Sequence, residues 1–294
     1  MGNRLILLIP VVVLVTSGIS MYSGAALAVG LFAALPPWIV AWLRISVGAV
    51  LLLLLARPNR AQWRGRAGIM ALIYGLTTLG MNTVFYEAIA RIPLGTAVAI
   101  EFLGPVAVAA WGSRTARDWL SLALAAIGVV VMSGVQWQVS PVGVMFILLS
   151  ALLWAGYLIV SARVALTSPS EFTVRGALSP LAVGFTYAGV VTLPLVVLFW
   201  PDRVLATVGG YGSFALWALG LGFFSSAVPY GLDQIALKIA SKSYYAVLSA
   251  ILPLTALLVG AILLRQMLSV PELIGVILIV IAVLLRKPVA AEQE

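Results

Sequence analysis

The chain has 294 residues, 63% of them hydrophobic and 9% charged, with a net charge of +8. A soluble domain carries roughly 25% charged residues, so this composition belongs to a polytopic membrane protein. The absence of Cys and His excludes disulfides, thiol catalysis, most zinc sites and the usual near-neutral proton switch. The basic excess forms no cluster on an independent soluble domain. It reads as a rim facing the negatively charged cytoplasmic leaflet, not as a nucleic-acid surface. Arg4 precedes an apolar run of more than twenty residues without a convincing cleavage site, which reads as a first spanning helix and not a signal peptide.

A span needs about 20 mainly apolar residues. That rule predicts ten, at 4–31, 35–56, 68–90, 93–111, 118–135, 141–162, 179–200, 212–236, 243–264 and 270–286. Connections are short, so no soluble domain interrupts the bundle. With both termini inside, the cytoplasmic side receives Arg4, Arg57, Arg60, Arg64, Arg66, Arg114, Arg117, Arg163, Arg175, Lys238, Lys242, Arg286 and Lys287, and the opposite side only Arg91, Arg203 and Arg265. Thirteen basic residues against three set this orientation by the positive-inside rule.

Shifting the chain by 148 residues lays Pro105 on Pro253 and the stripe Tyr74, Thr78, Asn82, Tyr86 on Gly222, Ser226, Tyr230, Gln234. Ala97, Glu101 and Pro105 fall on Tyr245, Ser249 and Pro253. Five spans per half is an odd number, so the second half enters the membrane from the opposite side, an arrangement typical of transporters. The expected fold is an all-α polytopic membrane protein of ten transmembrane helices, built as a five-plus-five inverted repeat with halves 1–140 and 141–294.

The densest signal is Met81–Pro105, where one apolar helix ends at Ala90-Arg91-Ile92, the chain turns at Pro93-Leu94-Gly95, and a second begins at once. The second carries Glu101 four residues before Pro105. An acid inside a membrane span is costly and marks a functional site by default, and a proline one turn later frees a backbone carbonyl that only protein or a wet cavity can satisfy. The block YGLTTLGMNTVFYEAIARIPLGTAVAIEFLGPVAVA, Tyr74–Ala109, resembles the EamA-type drug/metabolite transporter superfamily, nearest to its threonine/homoserine exporter type, with the aromatic amino-acid exporter branch a close relative. PLGTAVAIEFLGP is its most specific string. The resemblance implies ten helices, both termini inside, the inverted repeat, a place in the bacterial inner membrane, and export of amino acids or related metabolites. Many members end the ninth helix with Leu-Gly-Glu, where this chain has Leu264-Arg265-Gln266, so that acid's role does not carry over.

Candidate binding residues follow from helical spacing. Tyr74, Thr78, Asn82 and Tyr86 share one face and line either a cavity or a helix–helix contact. Ser150, Trp154, Tyr157 and Ser161 do the same on the sixth span, where the aromatics would suit apolar side chains. Ser226, Tyr230 and Ser249 complete the candidate binding set from the second half. Glu101 is open between a substrate-ammonium anchor, a proton carrier and a structural acceptor, with Arg44 a possible partner. Asp233 near Lys238 and Glu87 near Arg91 read as interface pairs. Pro105, Pro229 and Pro253 are candidate kinks for gating. Thr16, Ser17, Gly18, Ser20, Ser23 and Gly24 on the first span read first as packing and second as a solvent path.

The resulting reading is a non-enzymatic exporter of amino acids, threonine/homoserine-like and aromatic, working by alternating access around a central cavity. It needs no cofactor or metal; its partners are the small-molecule substrate and the bilayer, as monomer or homodimer. The alternative is a multidrug or organic-cation effluxer of the same fold, using Glu101 and the aromatics as a cation cage. A sugar-nucleotide carrier would want several cavity-facing Lys or Arg, and Arg44 is the one strongly internal cation in the sequence. A lipid-modifying membrane enzyme would need a catalytic group near the headgroups.

Overall fold

The computed structural model describes residues 2–111, 115–166, 174–239 and 251–285. Arg114, Lys242, Tyr245, Ser249, Arg286 and Lys287 therefore lie outside the described residues. Among the described residues every regular element is helical. In a bilayer this follows from hydrogen bonding, because a helix satisfies its own backbone polar groups where no water can.

The order is α1 (Gly2–Leu31), α2 (Pro37–Ala56), a 3₁₀ turn at Arg60–Trp63, α3 (Gly65–Ile89), α4 (Leu94–Glu101) and α5 (Leu103–Trp111). Then come α6 (Ala116–Val139), α7 (Pro141–Leu166), α8 (Val174–Leu198), the short α9 (Val204–Val208) and α10 (Tyr211–Gly222). A π-helical turn, Phe223–Ala227, leads directly into α11 (Val228–Ile239), followed by α12 (Ile251–Leu263) and α13 (Val270–Leu285). Pro37 and Pro141 open α2 and α7, where proline's fixed φ suits a helix start and its missing N–H costs nothing.

Six of these stretches are long and apolar enough to cross a membrane: Ile9–Leu31, Pro37–Ala56, Gly65–Ile89, Trp119–Val139, Arg175–Leu198 and Tyr211–Asp233. Four shorter apolar helices, Leu94–Val108, Pro141–Tyr157, Leu252–Leu263 and Val270–Ala282, stand beside them. Each expected span overlaps one of these stretches, six of them of spanning length and four shorter. The first part of the expected ninth, 243–250, lies outside the described residues. One differs in form, because the fourth is interrupted for one residue at Phe102, between α4 and α5. The cause is Pro105, which has no N–H to offer the carbonyl of Glu101 four residues back.

The helices pack α2 on α8, α6 on α13, α3 on both α7 and α8, α1 on α11 and α12, α4 on α12, and α5 on α7. Small residues permit the closest crossings. A Cβ at Gly75 would fall 1.9 Å from the Gly184 carbonyl oxygen, so α3 and α8 touch backbone to backbone. Gly128 and Gly275 do the same for α6 and α13, each facing the other's carbonyl at 2.8 and 2.9 Å. Leu152, Val130, Leu216 and Ile262 point outward, 68–73% exposed, as lipid-facing residues should.

Candidate functional site

The site is organised by two backbone defects, each made by a proline. In α11, Pro229 cannot donate to the carbonyl of Ser225, and the π-helical turn just before it shifts the register further, with Val228 N–H bonding back to Phe223. The freed Ser225 carbonyl is taken by Arg44 from α2, through Nη2 at 2.7 Å and Nε at 3.3 Å. Arg44 is only 6% exposed. A buried guanidinium is tolerable when it finds acceptors inside the bundle, and this one finds the carbonyl that proline leaves open. The neighbouring carbonyls at Phe224 and Pro229 are met from α1 by the hydroxyls of Ser20, at 2.8 Å, and Ser17, at 3.3 Å.

In the other half, Glu101 closes α4 at the break. Its carboxylate accepts from the Ser150 hydroxyl of α7 at 2.5 Å. Arg44 lies within electrostatic reach of it, but no ion pair joins the two among the described residues. A second acid joins the cluster. Asp233 accepts from Ser17 at 2.7 Å, and the buried Tyr22 stands within reach of both Glu101 and Asp233. One buried cation, one buried acid and one half-buried acid thus come from α2, α4 and α11, with Tyr22 of α1 within reach of both acids.

Aromatic side chains meet across α3, α7 and α11. Tyr74 and Tyr157 share a hydrogen bond at 2.5 Å, ring centroids 5.0 Å apart, with Tyr230 close to both. Tyr230 also rests edge-on against Phe185 at 5.7 Å. Trp154 packs edge-on against Phe102 at 5.0 Å, beside the α4–α5 break. Thr78 and Asn82 are buried but turn back on their own helix, Thr78 donating to Tyr74 O and Asn82 to Thr78 O, both at 2.7 Å. The Tyr86 hydroxyl is buried without a hydrogen-bond partner among the described residues, although Arg44 and Ser225 stand near.

Ser226 is placed differently. Its Oγ is also buried and has no hydrogen-bond partner among the described residues, but the side chain presses on Gly48 of α2, where a Cβ would meet it at 2.7 Å. Ser226 therefore serves the α2 crossing. Gly24 of α1 receives Ser225 in the same way, at 2.5 Å, so the small residues of α1 act in packing. Pro105 sits beside the α4–α5 break, Pro229 beside the π-helical turn, and Pro253 is buried in the first described turn of α12. Glu87 and Arg91 form the expected i, i+4 ion pair at 2.6 Å, and Arg91 also covers the Phe146 ring. A separate groove of about 520 Å³, lined by Trp42, Leu193, Val197, Trp200, Asp202 and Phe214 among others, shares no residue with the polar cluster. The cluster is the better site, since it holds the buried charges.

Comparison with known proteins agrees with this architecture. The EamA-like transporter family matches residues 141–286. These residues form an EamA-like transporter domain. This EamA-like chain is 29% identical to the threonine/homoserine exporter RhtA of Salmonella typhimurium (strain LT2) over 277 residues, covering 93% of the chain and 90% of the relative. It is 28% identical to RhtA of Escherichia coli (strain K12) over 270 residues, with 91% and 87% covered. An uncharacterized transporter, YvbV of Bacillus subtilis (strain 168), is 26% identical over 268 residues, with 85% and 82% covered. A crystal structure of a protein of 18% identity superposes with a TM-score of 0.62 over 92% of this chain and 94% of that one, a likeness of fold. Family and apolar helices together make this a multi-pass membrane transporter.

Two members of the site were not singled out by residue pattern. In sequence, Asp233 pairs by proximity with Lys238; its spacing from Ser226 and Tyr230 on one helical face is the signal for the cluster. Tyr22 stands within the small polar cluster Thr16–Gly24 of α1, which reads in sequence as packing.

Proposed function

We propose that the protein exports small zwitterionic amino acids of the threonine and homoserine kind across the bacterial inner membrane. The observation that carries this is the convergence of one buried guanidinium, Arg44, with a buried carboxylate, Glu101, and a half-buried one, Asp233, in a single cluster. An α-amino acid presents the complementary pair of charges. Arg44 has a planar fork suited to a carboxylate, and Glu101 with Asp233 supplies acceptors for the ammonium. Tyr74, Tyr157, Tyr230 and Trp154 form the wall beside the substrate side chain, a surface suited to aromatic amino acids as well. The names of the RhtA relatives support this substrate class.

In this reading the chain is a ten-helix inverted repeat with halves 1–140 and 141–294 and both termini in the cytoplasm. The packing pattern supports it. Exchanging the first five spans for the second five turns the α3–α7 contact into α1–α11, α3–α8 into α2–α10, and α5–α7 into α1–α12, all present, while α2–α8, α6–α13 and α4–α12 map onto themselves. Gly128 and Gly275 stand 147 residues apart and touch each other, as residues on such an axis would. Alternating access then proceeds by rocking of the halves around the midplane charges, with the α4–α5 break and the π-helical turn as the places that bend.

The test is counterflow of labelled threonine and labelled tryptophan into proteoliposomes. Threonine uptake that disappears in Arg44→Leu is expected, and the tryptophan ratio reports the breadth of the pocket. Uptake of neither, from protein shown to be folded, would overturn the proposal in favour of organic-cation efflux.

A further inference from the structure

The helix that carries Glu101 is short and poorly held along its own length. α4 has eight residues, is set off from α5 by a one-residue interruption at Phe102, and begins after Pro93, which supplies no side-chain cap. Its N-terminal N–H groups must therefore find acceptors elsewhere. The α12–α13 corner provides one: Leu94 N–H donates to Gln266 Oε1 at 2.8 Å. Two residues on, the buried Thr96 hydroxyl donates to Glu272 Oε1 at 2.8 Å.

Glu272 is itself firmly fixed. The same oxygen accepts from Gln136 Nε2 of α6 at 2.6 Å. The other takes both the backbone N–H of Ser269, at 2.9 Å, and its hydroxyl, at 2.7 Å. Ser269 and Glu272 stand in the S-x-x-E spacing of a capping box, so one oxygen caps α13 while the other ties α4 and α6 to it. Glu272 is only 3% exposed. A buried carboxylate with donors on both oxygens holds its partners tightly, because losing one leaves charge uncompensated in a low dielectric.

We propose that this corner is a latch: Gln266 and Glu272 fix the start of α4 and thereby set where Glu101, at its far end, meets Ser150 and the substrate. An eight-residue helix is about 12 Å long and moves as a rod, so a shift at Leu94 is passed to Glu101. The corner residues are positioning residues that never touch the substrate. The proposal rests on the reading of Glu101 as a substrate contact.

The test is a double-mutant cycle with an independent structural arm. Gln266→Leu and Thr96→Val, separately and together, remove the two ties while leaving Glu272 and its capping role in place. In the wild-type background they should weaken apparent threonine affinity about fivefold, and in the Glu101→Gln background less than about twofold further. Thr96→Ser and Gln266→Glu, which keep the donor and the acceptor, should restore most of the lost affinity. Equal losses in both backgrounds would overturn the latch, since the ties would then act on the fold at large. Hydrogen exchange of the 94–101 peptide decides the structural claim without any substrate. Faster exchange confined to α4 in the untied variants supports it, and unchanged or uniformly faster exchange overturns it. If Glu101→Gln itself leaves threonine binding intact, the functional reading fails and the exchange arm still judges the latch.

Discussion

Gly75→Ala tests the packing that presents the site. An alanine Cβ there would lie 1.9 Å from the Gly184 carbonyl oxygen, 2.3 Å from its carbon and 2.9 Å from its Cα. Real contacts of this kind begin near 3.0 Å, so α3 must retreat from α8 by about an ångström. Backbone on both sides leaves no side chain to swing aside. Overpacking typically costs about 1–3 kcal/mol, and a backbone-to-backbone clash belongs at the top of that range. Gly80 lies on the same helix with nothing within 4 Å of its would-be Cβ. Gly80→Ala should be neutral or stabilising by up to about 1 kcal/mol, from helix propensity alone. Thermal unfolding followed by tryptophan fluorescence on the purified protein measures both. Gly75→Ala should melt clearly lower, and threonine counterflow should fall with it, because Tyr74 and its partner Tyr157 ride on the displaced contact. Equal melting temperatures for the two variants would refute the backbone contact between α3 and α8.

Three further outcomes follow from the same geometry. Glu101→Gln should cut threonine counterflow by about tenfold, the loss of one charge-assisted contact, and should flatten whatever dependence on pH the wild type shows; an unchanged profile would remove Glu101 from proton handling. Trp154→Ala deletes the ring packed on Phe102 and should raise tryptophan uptake relative to threonine; a fixed ratio would mean that the aromatic wall does not set substrate size. Arg265 sits at φ 54°, the left-handed conformation that favours glycine after a helix end, so Arg265→Gly should stabilise by about 1 kcal/mol, read as a higher melting temperature.

The long apolar helices were legible because hydrophobic length is enough to locate a span, and the four-residue spacing of Tyr74, Thr78, Asn82 and Tyr86 marked a buried face. The acid–proline pair Glu101 and Pro105 marked the place in the fourth span where Phe102 interrupts the helix between α4 and α5. Asp233 was harder, because nearness to Lys238 in sequence suggested a partner while the fold brings Ser17 from the far end of the chain. The π-helical turn left no trace in composition, since it is a matter of backbone register around Pro229. Ser269-Val270-Pro271-Glu272 does carry a capping-box signature, yet that pattern speaks only of its own helix; the ties to Thr96 and Gln136 come from folding. Ser226 had the right residue type and spacing for a cavity, but the small size of Gly48 draws α2 close enough to cover it.

The central claim is that Arg44 and the two acids recognise both charged ends of an amino acid. It is tested most directly by competition in threonine counterflow, comparing unlabelled threonine with its methyl ester, its N-acetyl derivative and a bulky organic cation. The account predicts that threonine competes fully, that each derivative lacking one charged group competes at least about tenfold less well, and that Arg44→Leu abolishes the uptake itself. Full competition by the ester or by the organic cation would contradict it, since the carboxylate would then play no part in recognition.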